Sequence, residues 1–152
     1  MADGPHILIV EARYYEDIAD ALLQGAERAF AEADATIERL AVPGAFEIPA
    51  AIAWALEAGA RYDGYLALGC VIRGETSHYD YICVESARAL QDLACERGAA
   101  LVYGILTCET QDQAWARAKV GERNKGGEAA KACLAMIGVK ARFASAAAEG
   151  QG

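Results

Sequence analysis

Residues suited to binding an anion and moving a proton follow one another in the middle of the chain. The run from Leu68 to His78 reads LGCVIRGETSH, an apolar strand that stops at glycine and continues with two hydroxyl residues and a histidine. The Thr76 and Ser77 hydroxyls and the free amides of a helix start can surround a phosphate-sized anion, and Gly74 lets backbone approach it. His78 would titrate beside it near neutral pH. Helix capping and a structural histidine are the alternative interpretation.

The composition argues against several classes of partner and ligand. The 152 residues carry a net charge of −8 with a pI near 4.7, whereas a nucleic-acid surface needs a basic face. No apolar run approaches the roughly 20 residues of a bilayer helix, and no signal-peptide pattern is present, so we expect a cytoplasmic protein without a membrane partner. The five cysteines form no CxxC pair, and with only two histidines no zinc pattern can be assembled.

An anionic ligand would therefore need local positive groups. The candidates are few: Arg73, Arg117, Lys119, Arg123 and Lys125.

Short apolar runs alternate with segments of helical spacing along the whole chain. We predict strands at 7–10, 36–42, 65–70 and 100–106, and helices at 15–33, 48–56, 78–97, 111–120 and 126–137. The alternation predicts an α/β, three-layer, flavodoxin-like sandwich with a four-stranded parallel sheet flanked by helices. The length fits a single domain over residues 1–152, with a short N-terminal arm at 1–6 and a flexible tail at 144–152.

Ligands of such sheets bind beyond the carboxyl ends of the strands. The segments that follow the predicted strands are 11–15, 43–47, 71–78 and 107–110. They offer aromatic faces, backbone amides with a carboxylate, and the anion site with His78. Arg117 and the 124–128 segment cannot be placed against this edge from spacing. A solvated arginine and a hinge at Gly126 and Gly127 are the simpler interpretations of those two features.

Four motifs taken together resemble the lumazine synthase family. They are PGAFEIP at 43–49, GCVIRGETSHYD at 69–80, YGILT at 103–107 and NKG at 124–126, and the resemblance extends from residue 7 to about residue 143. It implies condensation of 5-amino-6-(D-ribitylamino)pyrimidine-2,4-dione with 3,4-dihydroxy-2-butanone 4-phosphate. The products are 6,7-dimethyl-8-ribityllumazine, phosphate and water, in the penultimate step of riboflavin biosynthesis. The resemblance implies no metal and no organic cofactor.

The resemblance also assigns residues to the pyrimidine substrate. Tyr14 takes the position of an aromatic residue that stacks on the pyrimidine, although the neighbouring Tyr15 leaves open which tyrosine does so. The family's ribityl-binding positions match Ala45, Phe46 and Glu47, and its pyrimidine-pocket positions match Val71 and Ile72. Tyr103 matches an aromatic position that lines the pocket, and Glu128 matches an acidic position nearby. Lys125 matches a lysine near the pyrimidine, and the resemblance counts it with His78 and Arg117 among the catalytic residues.

The phosphate substrate and the proton transfers are assigned to other residues. The phosphate loop of the family matches Gly74, Glu75, Thr76 and Ser77, with Glu75 expected to contribute backbone. The resemblance makes His78 the group that accepts and returns protons, and it makes Arg117 the arginine that binds the phosphate.

In the family the site lies between neighbouring subunits of a pentamer. Arg117 and Lys125 can then come from the adjacent chain. The sequence AKVGER at 118–123 differs from the glycine-rich GTKAG-like turn of members that form sixty-subunit shells. We therefore predict a homo-pentamer, with a decamer or a shell as alternatives.

Two other functions compete with this enzyme. One is a flavin or lumazine carrier that keeps the pocket but turns over weakly. Carriage alone needs neither His78 nor Arg117, so both residues favour catalysis. The other is a riboflavin synthase that dismutates two lumazines, and such an enzyme would have no need of the phosphate loop.

Overall fold

The computed structural model describes residues 3–151, and its strands form one parallel four-stranded sheet with the order β2-β1-β3-β4. The strands are β1 (His6–Ala12), β2 (Thr36–Val42), β3 (Gly64–Ile72) and β4 (Leu101–Cys108). The helices are α1 (Glu16–Glu32), α2 (Ile48–Glu57), α3 (His78–Arg97), α4 (Gln111–Ala118) and α5 (Lys125–Gln151). The predicted α/β fold with a four-stranded parallel sheet is confirmed.

Both faces of the sheet are covered by helices. Alternate residues of β1 point to opposite faces, so Ile7 and Ile9 pack against α1 and α5, whereas Leu8 and Val10 pack against α2 and α3. A third cluster joins α1 and α4 to the end of β4. None of the described helices is long and apolar enough to cross a membrane.

The register of the strands brings their carboxyl ends to one edge. Ala12 pairs with Val42 at the ends of β1 and β2, and Ile72 pairs with Cys108 at the ends of β3 and β4. Three of the four segments predicted to carry ligand-binding groups include the last two residues of a strand, at 11–12, 71–72 and 107–108, and the fourth begins directly after Val42. The sheet therefore brings together groups that are far apart in the sequence.

The last helix is longer than its periodicity predicted. Residues 144–151, predicted as a flexible tail, continue α5, and this stretch is rich in alanine, the strongest helix former. Residues 1, 2 and 152 of the predicted arm and tail lie outside the described residues, and His6 already belongs to β1.

The hinge interpretation of Gly126 and Gly127 is wrong. Both glycines lie in the first turn of α5 and are buried. A Cβ on Gly126 would overlap the carbonyl oxygen of Leu22 and stand 2.7 Å from its carbonyl carbon. Glycine is needed there because the backbones of α1 and α5 touch.

Candidate active site

A cavity of about 450 Å³ opens at the carboxyl edge of the sheet. It joins the ends of β1, β2 and β3 to the first turns of α3, and we call it the aromatic cavity. Its volume suits a small organic molecule. The lining residues are Tyr14, Tyr15, Gly44, Phe46, Glu47, Cys70, Val71, Ile72, His78 and Ile82.

The two adjacent tyrosines have different surroundings. Tyr14 is 76% exposed, whereas Tyr15 is partly buried against the cluster that joins α1, α4 and β4. Their rings meet edge to face at 4.9 Å between centroids. Burial raises the pKa of Tyr15 above its ordinary value. Tyr14 is therefore the tyrosine whose ring is open to a ligand.

A short 3-10 turn, Ala45–Glu47, presents two side chains to the aromatic cavity. The Glu47 N–H donates to the Gly44 carbonyl at 3.2 Å, and the buried Ala45 side chain anchors the turn in the core. Phe46 is 54% exposed and Glu47 is also exposed. A Cβ on Gly44 would stand only 3.2 Å from Glu47 Oε1, so the glycine leaves room for this carboxylate.

The predicted phosphate loop is an exposed segment between β3 and α3. A Cβ on Gly74 would meet no atom within 4 Å, so the loop faces open space. The His78 N–H donates to Thr76 Oγ1 at 3.3 Å, and α3 begins at His78 as predicted. Ser77 makes no side-chain cap. Among the described residues its hydroxyl caps no N–H of α3, which leaves it available to a ligand.

Arg73 holds this loop rather than offering a free charge. Its Nε donates to Glu109 at 2.7 Å, its Nη2 lies 3.2 Å from Asp80, and its guanidinium stands 4.3 Å from the Tyr79 ring centroid. The hydrogen bonds to Glu109 and then Asp80 raise the pKa of Arg73. The contacts join the loops that follow β3 and β4, and two carboxylates already balance the cation.

A second cavity, of about 350 Å³, lies along the edge strand β4 beside α4 and α5. We call it the cationic cavity. Arg117 donates from Nη1 to the Gln113 carbonyl at 3.0 Å, and no carboxylate of the described residues pairs with it. Lys125 Nζ lies 3.1 Å from Glu128. Arg117 is therefore the cation of this cavity that an anionic ligand can use.

Tyr103 contributes to the cationic cavity from β4, yet its ring packs with the core on the α2 and α3 face. Its hydroxyl is buried and has no hydrogen-bond partner among the described residues. Burial raises the pKa of Tyr103, and the nearby Ser86 hydroxyl partly offsets this effect. The resemblance assigned Tyr103 to the substrate pocket and did not indicate that its ring packs against the core.

Comparison with known proteins identifies the family. Residues 4–141 match the family model described as 6,7-dimethyl-8-ribityllumazine synthase. The chain is 55% identical over 143 residues to the 6,7-dimethyl-8-ribityllumazine synthase of Bartonella tribocorum, covering 94% of this chain and 95% of that protein. It is 59% identical over 142 residues to 6,7-dimethyl-8-ribityllumazine synthase 1 of Rhizobium meliloti, covering 91% and 93%.

The chain belongs to the 6,7-dimethyl-8-ribityllumazine synthase family. The resemblance predicted from the four motifs is confirmed, and so is the assignment to an enzyme family of transferases.

The structure divides the residues that the lumazine synthase resemblance places in one site. The aromatic cavity contains Tyr14, Phe46, Glu47, Val71, Ile72 and His78. The cationic cavity contains Tyr103, Arg117, Lys125 and Glu128. The Gly74–Ser77 loop is exposed, and Ala45 lies beneath the turn. In residues 3–151, no three His, Cys, Asp or Glu side chains form a group that could hold a metal ion.

Three lining residues of the aromatic cavity were missed as site residues: Gly44, Cys70 and Ile82. Helical spacing could have indicated Ile82, because it follows His78 by four residues and therefore lies on the same face of α3. Cys70 is the last residue of the predicted strand at 65–70, and β3 continues past it to Ile72.

The Cys70 thiol should be unreactive although it lines a cavity. Burial raises the pKa of Cys70 to about 12, because a thiolate is poorly solvated there. At pH 8 only about one thiol in ten thousand would be the nucleophilic thiolate. We expect iodoacetamide at pH 8 to leave Cys70 unmodified in the native protein. Mass spectrometry after labelling in urea, where all cysteines should react, is the control. Rapid native labelling of Cys70 would contradict this assignment.

Proposed function

We propose that this chain condenses 5-amino-6-(D-ribitylamino)pyrimidine-2,4-dione with 3,4-dihydroxy-2-butanone 4-phosphate. The products are 6,7-dimethyl-8-ribityllumazine, phosphate and water, and the step is the penultimate one of riboflavin biosynthesis. Family membership supports the reaction class. The observation that carries the proposal is the aromatic cavity, in which the open Tyr14 ring, the Glu47 carboxylate and His78 line one space.

The aromatic cavity suits the ribitylaminopyrimidine. The exposed Tyr14 ring offers a face on which a flat heterocycle can stack, and Val71 and Ile72 supply an apolar wall. Glu47 is placed to accept hydrogen bonds from two adjacent hydroxyls of the ribityl chain, because a carboxylate has two acceptor oxygens. Phe46 covers the same chain from the neighbouring position of the 3-10 turn.

The phosphate substrate needs donors and a positive charge. The exposed Gly74–Ser77 loop supplies backbone amides and the Thr76 and Ser77 hydroxyls, and we assign Glu75 a backbone role because its carboxylate would repel the phosphate. Arg73 is already balanced by Glu109 and Asp80. Arg117, which has no acidic partner among the described residues, is the better phosphate ligand because its planar fork matches two phosphate oxygens.

His78 lines the aromatic cavity and stands at the end of the phosphate loop. There it can take a proton from the amine as the Schiff base forms and return protons during phosphate elimination and ring closure. An imidazole suits both directions, because one of its ring nitrogens can accept a proton while the other can donate one. Most of the rate enhancement should come from holding the two substrates together, because the condensation needs no strong acid or base.

We further propose that the two cavities meet between adjacent subunits of a homo-pentamer. One subunit supplies the aromatic cavity, and its neighbour supplies Arg117, Lys125 and Glu128. Support comes from the open edge of β4 beside the cationic cavity and from Tyr81 and Val84 of α3, which are 66% and 61% exposed. Apolar side chains on one helix suit packing around a symmetry axis. Analytical ultracentrifugation separates five copies from ten or sixty.

We place the enzyme in the cytoplasm. Five unpaired thiols within the described residues suit a reducing compartment.

A steady-state assay with both substrates tests the proposed reaction. Lumazine appearance is followed by absorbance and phosphate release in parallel, and reactions lacking protein give the uncatalysed rate. We expect one mole of each product per turnover, well above that rate. Tight riboflavin binding by fluorescence quenching without lumazine above the uncatalysed rate would overturn the proposal in favour of a carrier.

A further inference from the structure

A buried carboxylate lies next to the segment that presents Tyr14. Glu11 on β1 is 2% exposed, and within the described residues it is the one charged side chain in the buried class. It shares its face of the strand with Ile7 and Ile9, which fill the core with apolar groups. An unpaired carboxylate in this position would destabilise the folded state. Glu11 must therefore be paired with positively charged groups.

Glu11 has two such partners. Its Oε1 lies 2.5 Å from Arg13 Nη1, and its Oε2 lies 2.8 Å from Arg39 Nε on the neighbouring strand β2. Both carboxylate oxygens are therefore fixed, one by a residue of the next segment and one by the sheet. Both pairs join the carboxylate to a guanidinium. Only Arg13 is adjacent in the chain to a residue of the candidate active site, Tyr14.

Arg13 is held from both sides. Its Nη2 pairs with Asp20 of α1, while Nη1 remains on Glu11. The hydrogen bond to Glu11, followed by the one to Asp20, raises the pKa of Arg13. Residues 13–15 are the whole connection between β1 and α1, so a fixed Arg13 leaves Tyr14 little freedom.

We propose that Glu11 is a positioning residue that, through Arg13, sets the direction of the Tyr14 ring in the aromatic cavity. This inference rests on the proposed function, because it gives Tyr14 a substrate to stack on. An apolar residue at position 11 would fill the core equally well but would leave Arg13 without its buried anchor. The carboxylate thus links the rigid centre of the sheet to an exposed ring that would otherwise be free to turn.

Glu11→Gln tests the link while preserving side-chain volume. We expect its KM for the pyrimidine substrate to rise about tenfold, the effect of one well-oriented aromatic contact. The KM for the phosphate substrate should change less than about twofold, because Arg117 and the phosphate loop are untouched. Asp20→Asn, which loosens the outer contact of Arg13, should shift the pyrimidine KM in the same direction by less.

Arg39→Gln is the matched control for a merely structural role. It also breaks one ion pair of Glu11 and should lower the melting temperature, yet it leaves the Glu11–Arg13 pair and so should not change the pyrimidine KM. In a Tyr14→Ala background, Glu11→Gln should have no further effect on that KM. Equal pyrimidine KM values for the Glu11→Gln and Arg39→Gln variants, or an undiminished Glu11→Gln effect without Tyr14, would overturn the proposal.

A binding measurement separates this proposal from the proposed function. The dissociation constant of 6,7-dimethyl-8-ribityllumazine, followed by its fluorescence, should rise about tenfold in Glu11→Gln and stay unchanged in Arg39→Gln. A wild-type protein that binds lumazine but forms none contradicts the proposed reaction, and the variants still report on Glu11. A wild-type protein that does not bind lumazine overturns the role of Glu11 as well.

Discussion

Arg117→Ala should abolish useful binding of the phosphate substrate. Arg117 and Lys125 both line the cationic cavity, and of these two cations Arg117 is the one that has no acidic partner among the described residues. The loss of Arg117 therefore leaves the phosphate without its strongest ligand. Removing one partner of a hydrogen-bonded charge pair costs about 2–5 kcal/mol, or roughly thirtyfold to several-thousandfold in affinity. We expect the KM for 3,4-dihydroxy-2-butanone 4-phosphate to rise by at least about a hundredfold, with the pyrimidine dissociation constant nearly unchanged.

Two variants calibrate this result. Arg117→Lys keeps the charge but loses the planar fork, so it should recover part of the affinity. His78→Ala should slow turnover only modestly, by about tenfold, because proximity of the substrates supplies most of the rate. Steady-state kinetics with each substrate varied in turn measures all three variants. Equal and severe losses in Arg117→Ala and His78→Ala would contradict this division of roles.

Among alanine substitutions of the glycines in the described part of α5, Gly126→Ala should destabilise the protein most. Its Cβ would overlap the Leu22 carbonyl oxygen, and backbone atoms cannot rotate away as a side chain can. Separating α1 from α5 would loosen the cluster that contains Phe30 and Cys133 and displace Lys125. We expect a loss of about 3 kcal/mol or more in the free energy of unfolding, measured in urea, with reduced activity.

Gly138→Ala is the matched control on the same helix. A Cβ there meets no atom within 4 Å, and the residue is exposed. Alanine should therefore stabilise the protein by about 0.5–1 kcal/mol, through helix propensity and a less flexible unfolded chain. Similar losses in both variants would mean that the contact between α1 and α5 is not what requires glycine at position 126.

The elements with strong periodicity were predictable from the sequence. The strand at Thr36–Val42 and the helix at His78–Arg97 have the predicted bounds, and the order of strands and helices is as predicted. These segments are bounded by clear breaks, such as Pro43 and Gly98. The C-terminal end of α5 was predicted too early, at residue 137. Gly138 interrupts the apolar periodicity there but does not end the helix.

Features that depend on packing were not predictable. Strand β1 continues through Glu11, a charged residue that an apolar pattern excludes, because arginines from positions 13 and 39 neutralise it. The sequence also left open which of the two adjacent tyrosines is accessible to a ligand. Only the packing shows that Tyr14 is exposed and Tyr15 is partly buried. The motifs predicted the candidate site residues, but their division between two cavities depends on where α4 and α5 pack beside β4.

We expect one active site to combine the aromatic cavity of one subunit with the cationic cavity of its neighbour. A Tyr14→Ala/Glu47→Ala double variant removes the first half, and Arg117→Ala removes the second. At substrate concentrations near the wild-type KM values, each variant alone should show almost no activity. Unfolding them together, refolding the equimolar mixture and assaying lumazine formation should restore about one quarter of wild-type activity, the share of intact pairs in a randomly mixed ring. Refolded wild-type protein sets the scale, and a mixture as inactive as its components would contradict the shared site.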